Sequence, residues 1–229
     1  MAHIYDHNTA RYRMKWENAC ENKYNGAFYY SKEIVSNIIP RVKTDRSWVT
    51  VNVQGLAESH AIVFVHNNLH PERYEWLRTY GFNDLILVCG VPETCDKIAH
   101  LGRAIYLPLS IDTKYVLKFK AEKKNDRAAY VGRRNKAKLG RLPAGVDFLS
   151  GMPRQRLLPR MAEYKTVYAV GRTAIEAKAL GCEVKAYDPR FPDPDFWKVV
   201  DNREAAKMLQ RAINEIDGKE RVNGRSAKV

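Results

Sequence analysis

Short apolar, β-branched runs that alternate with stretches of helix length restrict this chain more than any other feature. The runs are His3-Ile4-Tyr5, Trp48-Val49-Thr50-Val51-Asn52-Val53, Ala61-Ile62-Val63-Phe64-Val65, Leu85-Ile86-Leu87-Val88 and Ala104-Ile105-Tyr106-Leu107-Pro108. Between them lie a long helix-forming, tyrosine-rich segment over 9–42, a stretch from Pro71 to Tyr80 closed by Gly81, and another from Pro92 to Leu101 closed by Gly102. Pro at a helix start and Gly just past its end suit those positions. Continuous apolar runs mark strands buried on both faces, and their alternation with helices predicts an α/β chain with mostly parallel sheets.

The rhythm breaks between Lys114 and Arg127, where Lys118, Lys120, Lys123, Lys124 and Asn125 stand among few apolar residues, so that stretch reads as a linker or exposed connection. It then resumes with strands at Ala128–Val131, Val146–Leu149, Thr166–Val170 and Glu183–Tyr187, and helices at Arg154–Ala162 and Thr173–Leu180. A last helix spans Asn202 to Ile216, with Ala205, Leu209, Ala212, Ile213 and Ile216 on one stripe. The expected layout is a first Rossmann-like domain over 1–112, a basic linker over 113–127, a second over 128–217 and a loose basic tail over 218–229. Ligands of open α/β sheets bind outside the carboxyl ends of the strands, so function is expected in a central cleft faced by both domains.

Of the 229 residues, 39 are Lys or Arg and 26 Asp or Glu, a net charge of +13. The excess is concentrated: residues 118–160 hold 13 Lys or Arg against the acids Glu122, Asp126 and Asp147. Such a field attracts phosphates on nucleotides or on a nucleic-acid backbone, or is simply a solvated face. The 45% hydrophobic content excludes wholesale disorder. No apolar run is long enough for a membrane span, and the start does not read as a signal peptide, so a soluble cytoplasmic protein is expected (the host cytoplasm, if the chain is viral). Four cysteines without a C-x-x-C pair read as free thiols in a reducing compartment. Neither a G-x-x-x-x-G-K-[ST] loop nor a G-x-G-x-x-G fingerprint is present. His66 and His70 lie four apart but lack the Glu of a zinc motif, and no metal ligands are assigned.

The strongest local signal runs from Tyr168 to Val184: strand, Gly171 turn, helix start at Arg172-Thr173, Glu176 one turn in, Gly181 stop, strand. The turn lets a backbone approach a ligand, and the first N–H groups of the helix favour an anion. Glu176 suits a pair of vicinal hydroxyls, or alternatively offsets the helix dipole. This segment resembles the C-terminal half of GT-B glycosyltransferases, two-Rossmann-domain enzymes that use sugar nucleotides. Its Gly171-Arg172-Thr173, Glu176-Ala177 and Ala179-Leu180-Gly181-Cys182-Glu183-Val184 match the loop, helix and strand that hold the nucleotide diphosphate and ribose there. Tyr130-Val131-Gly132-Arg133, followed by Lys136 and Lys138, resembles the opening of the donor domain, and Leu107–Asp112 resembles the stretch before it. The likeness covers roughly 104–217. The chain is short for the family, and the position eight before Glu176 is Tyr168, so no E-x7-E pattern fixes the stereochemistry.

The resemblance implies a metal-independent, hexosyltransferase-type enzyme with no cofactor beyond a nucleotide-sugar co-substrate, a UDP-sugar first. Gly132, Arg133, Lys136, Lys138, Gly171, Arg172, Thr173 and Glu176 are the expected donor-binding residues. Arg and Lys there would stabilise the departing diphosphate. The acceptor-side base is sought in the first domain: His66 just after an apolar run, then Asp6 and His7. His66 reads equally as a hydrogen-bonded loop residue. Some viral GT-B enzymes modify bases in DNA, which makes modified DNA a candidate acceptor for so basic a chain; no obligate protein partner is evident. The alternative is a nonenzymatic nucleic-acid-binding protein on the same two-lobed fold.

Overall fold

The computed structural model describes residues 3–6, 26–51, 57–66, 69–132 and 142–226. The chain divides into two compact units, one formed by Met1–Ala10, Ile34–Leu107 and Arg203–Val229, the other by Arg11–Glu33 and Pro108–Asn202. Each is α/β with a parallel sheet.

The first unit carries β1 (Ile4–Tyr5), β2 (Ser47–Val49), β3 (His60–Val65), β4 (Asp84–Cys89) and β5 (Arg103–Tyr106), all parallel and adjacent in sequence order. Right-handed crossovers that step in one direction put the helical segments after β3 and after β4 on the same face. That face is a core of Val49, Ala61, Val63, Val65, Leu85, Leu87 and Cys89 under Tyr74, Leu77, Ile98 and Leu101 of the connecting helices. Trp48, Ile62, Phe64, Ile86 and Val88 alternate with these and are buried as well. Their face needs a separate cover. The same unit offers Ile34 and Ile38 of a π-helical segment (Ile34–Ile38) and Ala205, Ala206, Leu209 and Ile213, all 1% exposed or less. Arg46, fully buried, ties the last helix to the amino ends of the strands: Nη1 bonds Asp84 Oδ1 at 2.9 Å and Nη2 bonds Asp217 Oδ1 at 2.8 Å.

The second unit opens with α1 (Gly26–Glu33). After the first unit's short helices α2 (Trp76–Thr79) and α3 (Pro92–Ile98), it resumes with α4 (Thr113–Leu117), β6 (Asn125–Tyr130), β7 (Asp147–Phe148), α5 (Arg154–Ala162), β8 (Tyr164–Tyr168), α6 (Arg172–Ala179) and β9 (Glu183–Lys185). The last helix, α7 (Asn202–Ser226), begins here and continues in the first unit. The strand order is β7–β6–β8–β9, all parallel.

Three sequence expectations change. Residues 113–127 are not a linker: Asp112 Oδ1 caps α4 by accepting Tyr115 N at 2.9 Å, Val116 is fully buried, and β6 starts at Asn125. Of the lysines that suggested a connection, Lys124 is half-buried and its Nζ donates to Ala162 O at 2.7 Å. Residues 218–226 are helical rather than a loose tail. The units also draw on interleaved segments instead of the contiguous spans 1–112 and 128–217. Among the described residues no helix is long and apolar enough to cross a membrane.

Candidate functional site

Strand order decides where each sheet can bind. The order in the first unit never reverses, so its described strands form no switch point. In the second unit the chain steps from β6 to β7, then back past β6 to β8, which puts a topological switch point between the carboxyl ends of β6 and β8. The loops that follow those two strands are Val131-Gly132 and Ala169-Val170-Gly171, both singled out by the sequence.

Gly171 sits at φ 61°, ψ −139°, a conformation essentially reserved for glycine, while only Leu109 Cδ1, at 3.9 Å, would meet an added Cβ. Backbone geometry, not space, demands glycine there. Gly132 is the opposite case. Its added Cβ would lie 2.4 Å from the hydroxyl of buried Tyr130. Burial drives that phenol's pKa upward, helped by the neighbouring Tyr187, whose ring meets it edge-on at 4.9 Å.

Arg172 is the first residue of α6 and is only 6% exposed. Its Nη2 bonds Glu33 Oε1 at 2.5 Å and lies 3.2 Å from Glu176 Oε1. Arg154, at the start of α5 and 9% exposed, donates Nη1 to the same Glu33 oxygen, and its Nη2 is 2.9 Å from Glu176 Oε1. Two guanidinium and two carboxylate groups thus form one buried, formally balanced cluster. Burial alone would lower the Arg154 pKa; Glu176 and Glu33 outweigh it and the net direction is upward. The Arg154 guanidinium also lies 5.1 Å from the Tyr115 ring centroid. Glu33 Oε2 accepts from Asn202 Nδ2 at 2.8 Å and Asp112 N at 3.1 Å, and Asn202 Oδ1 accepts from Ser110 Oγ at 2.8 Å. Burial pushes the nearby Tyr30 phenol up to about 12, against its hydrogen bonding with Ser110.

Comparisons with protein families, curated proteins and solved structures gave no match.

The structure therefore brings Gly132, Gly171, Arg172, Thr173 and Glu176 to two neighbouring loops and one helix, with Thr173 half-buried. Arg172 and Glu176 spend their nearest polar atoms on each other, Arg154 and Glu33 rather than on open solvent. Arg133, Lys136, Lys138 and His7 lie outside the described residues. Glu33 and Arg154 were missed by sequence reasoning. They are 121 residues apart, and nothing in a tyrosine-rich helix marks Glu33 as a hub.

In the first unit, Asp6 and His66 follow β1 and β3 at the carboxyl edge, with Thr50, after β2, between them. His66 Nε2 bonds Thr50 O at 2.8 Å, and its backbone N donates to Tyr74 Oη at 2.9 Å. A carbonyl can only accept, so Nε2 carries the hydrogen in this contact. Among the described residues no three His, Cys, Asp or Glu converge to hold a metal ion.

Proposed function

We propose that this chain is a compact GT-B-like glycosyltransferase that binds a nucleotide-diphosphate sugar on its second unit. The observation that carries the reading is the strand order β7–β6–β8–β9, whose switch point coincides with the two glycine loops that resemble a donor site. In this reading the sugar transfers to an acceptor hydroxyl while the first N–H groups of α6, Arg133, Lys136 and Lys138 meet the charge of the departing diphosphate. His66 takes the acceptor proton, with Asp6 next to be tested. DNA bearing base hydroxyls is the acceptor the basic charge favours.

The test is a melting-temperature screen with UDP-, GDP- and ADP-sugars, followed by donor hydrolysis and mass spectrometry of any copurifying nucleotide. One nucleotide should raise the melting temperature as RT ln(1 + [L]/Kd) requires. No shift with any of them, together with steeply salt-dependent DNA binding, would replace this reading with a nonenzymatic nucleic-acid-binding protein. The exposed Lys114, Lys118, Lys120 and Lys123 favour that second reading.

A further inference from the structure

The Arg154–Arg172 cluster is left incomplete. Arg154 Nε and Nη2 and Arg172 Nε and Nη1 are buried and make no hydrogen bond, although Arg154 Nη2 keeps its ion-pair distance to Glu176. Buried donors of this kind are rare because each forfeits its hydration without a replacement. Nε and Nη2 of Arg154 form the side-on fork of a guanidinium, which a tetrahedral oxyanion fills with two parallel bonds. Arg172 adds two further donors at the N-terminus of α6, an eight-residue helix whose dipole favours the same charge. Glu33 fixes both guanidinium groups from one side through a shared oxygen.

We propose that Arg154 and Arg172 form a phosphoryl-binding site, in which Glu33 holds the two arginines in place and Glu176 competes with the incoming phosphate for them. The inference rests on the nucleotide reading for the source of the phosphate. It departs from the resemblance by giving Glu176 a role against the arginines instead of on a ribose. Removing either arginine weakens phosphate binding. Removing the charge of Glu176 strengthens it, because one competing anion is gone.

Inorganic pyrophosphate, which has no ribose, separates these roles in a calorimetric titration of the full chain. Arg154→Met and Arg172→Met should each weaken pyrophosphate at least tenfold, and Glu176→Gln should tighten it several-fold. Arg154→Lys keeps the charge without the fork and should still weaken binding, which covers a Met variant that does not fold. Unchanged affinity in folded Arg154→Lys, weaker binding in Glu176→Gln, or no pyrophosphate binding by the wild type would overturn the proposal. If a nucleotide sugar stabilises wild type and Arg154→Lys equally, this site fails and the nucleotide reading survives. If pyrophosphate depends on Arg154 while no nucleotide binds, the site stands and that reading falls.

Discussion

The two sheets of this protein are both parallel, yet they solve burial by different means. The first adds its strands in sequence order, so the helical segments after β3 and β4 share one face, and the buried residues of the π-helical segment and of α7 are left to cover the other. Its charged anchor, Arg46, has partners that are about one-third exposed. The second reverses its strand order, which gives it a switch point between β6 and β8. Beside it lies a cluster of four ionised side chains, each 10% exposed or less. Strand order, rather than strand content, separates the sheet without a switch point from the sheet that has one.

Breaking the contrast at its strongest point means unbalancing the second unit. Glu33→Ala should cost about 3–5 kcal/mol in urea unfolding, because it strands two buried guanidinium groups with one carboxylate. A loss below 1 kcal/mol would show the cluster to be solvated. For the first unit, Leu209→Ala should cost about 2–5 kcal/mol by removing part of its roof, and truncation after Asp201 should aggregate. A soluble, cooperatively folding 1–201 fragment would refute the role given to α7. Gly171→Ala should cost about 1–3 kcal/mol by thermal denaturation from backbone strain alone. Adding a side chain that fits without loss would mean the loop can adopt another conformation.

The smallest effect sharpens the comparison through pH. His60, which opens β3, bonds Asp84 at 2.5 Å and Asp45 at 3.2 Å. Burial opposes its protonation, but these partners carry its pKa above the ordinary value; His60 in turn helps hold Asp84 and Asp45 below theirs. A raised histidine stabilises fully below about 6.5 and loses that contribution as pH rises through its folded value; lowered carboxylates stabilise above about 4 and lose theirs as pH falls. The contribution of this group is therefore largest between those limits, and below about 1 kcal/mol given its exposure. His60→Gln should flatten the alkaline limb of the urea midpoint against pH. An unchanged limb would remove His60 from the account.

Strand positions were legible wherever the apolar run was continuous: Ala61–Val65 and Leu85–Val88 lie within β3 and β4, and α5 spans the stretch expected for it. β8 starts two residues before the apolar run because Tyr164 is buried and its hydroxyl bonds Asp147. The expected helix from Pro71 splits into a 3-10 turn (Pro71–Tyr74) and α2. Periodicity carries no information on which strands become neighbours, so the sequential order of the first sheet had no signal. The glycine loops of the candidate site were visible because glycine is a local demand. Glu33 and Arg154 were not, because a buried ion cluster is defined by partners distant along the chain.

The interleaving of segments also bears on how the molecule is made. β1 to β5 leave the ribosome early, but the helix that supplies Leu209 and Ile213 follows every strand of the second unit. Whatever part of the cover of Trp48, Ile62, Phe64, Ile86 and Val88 comes from α7 is therefore missing while nearly all of the remaining chain is synthesised. An uncovered parallel sheet at that stage is open to aggregation and to chaperone capture. Slow elongation through the second unit should lower soluble yield, and a permuted chain in which α7 precedes β1 should raise it.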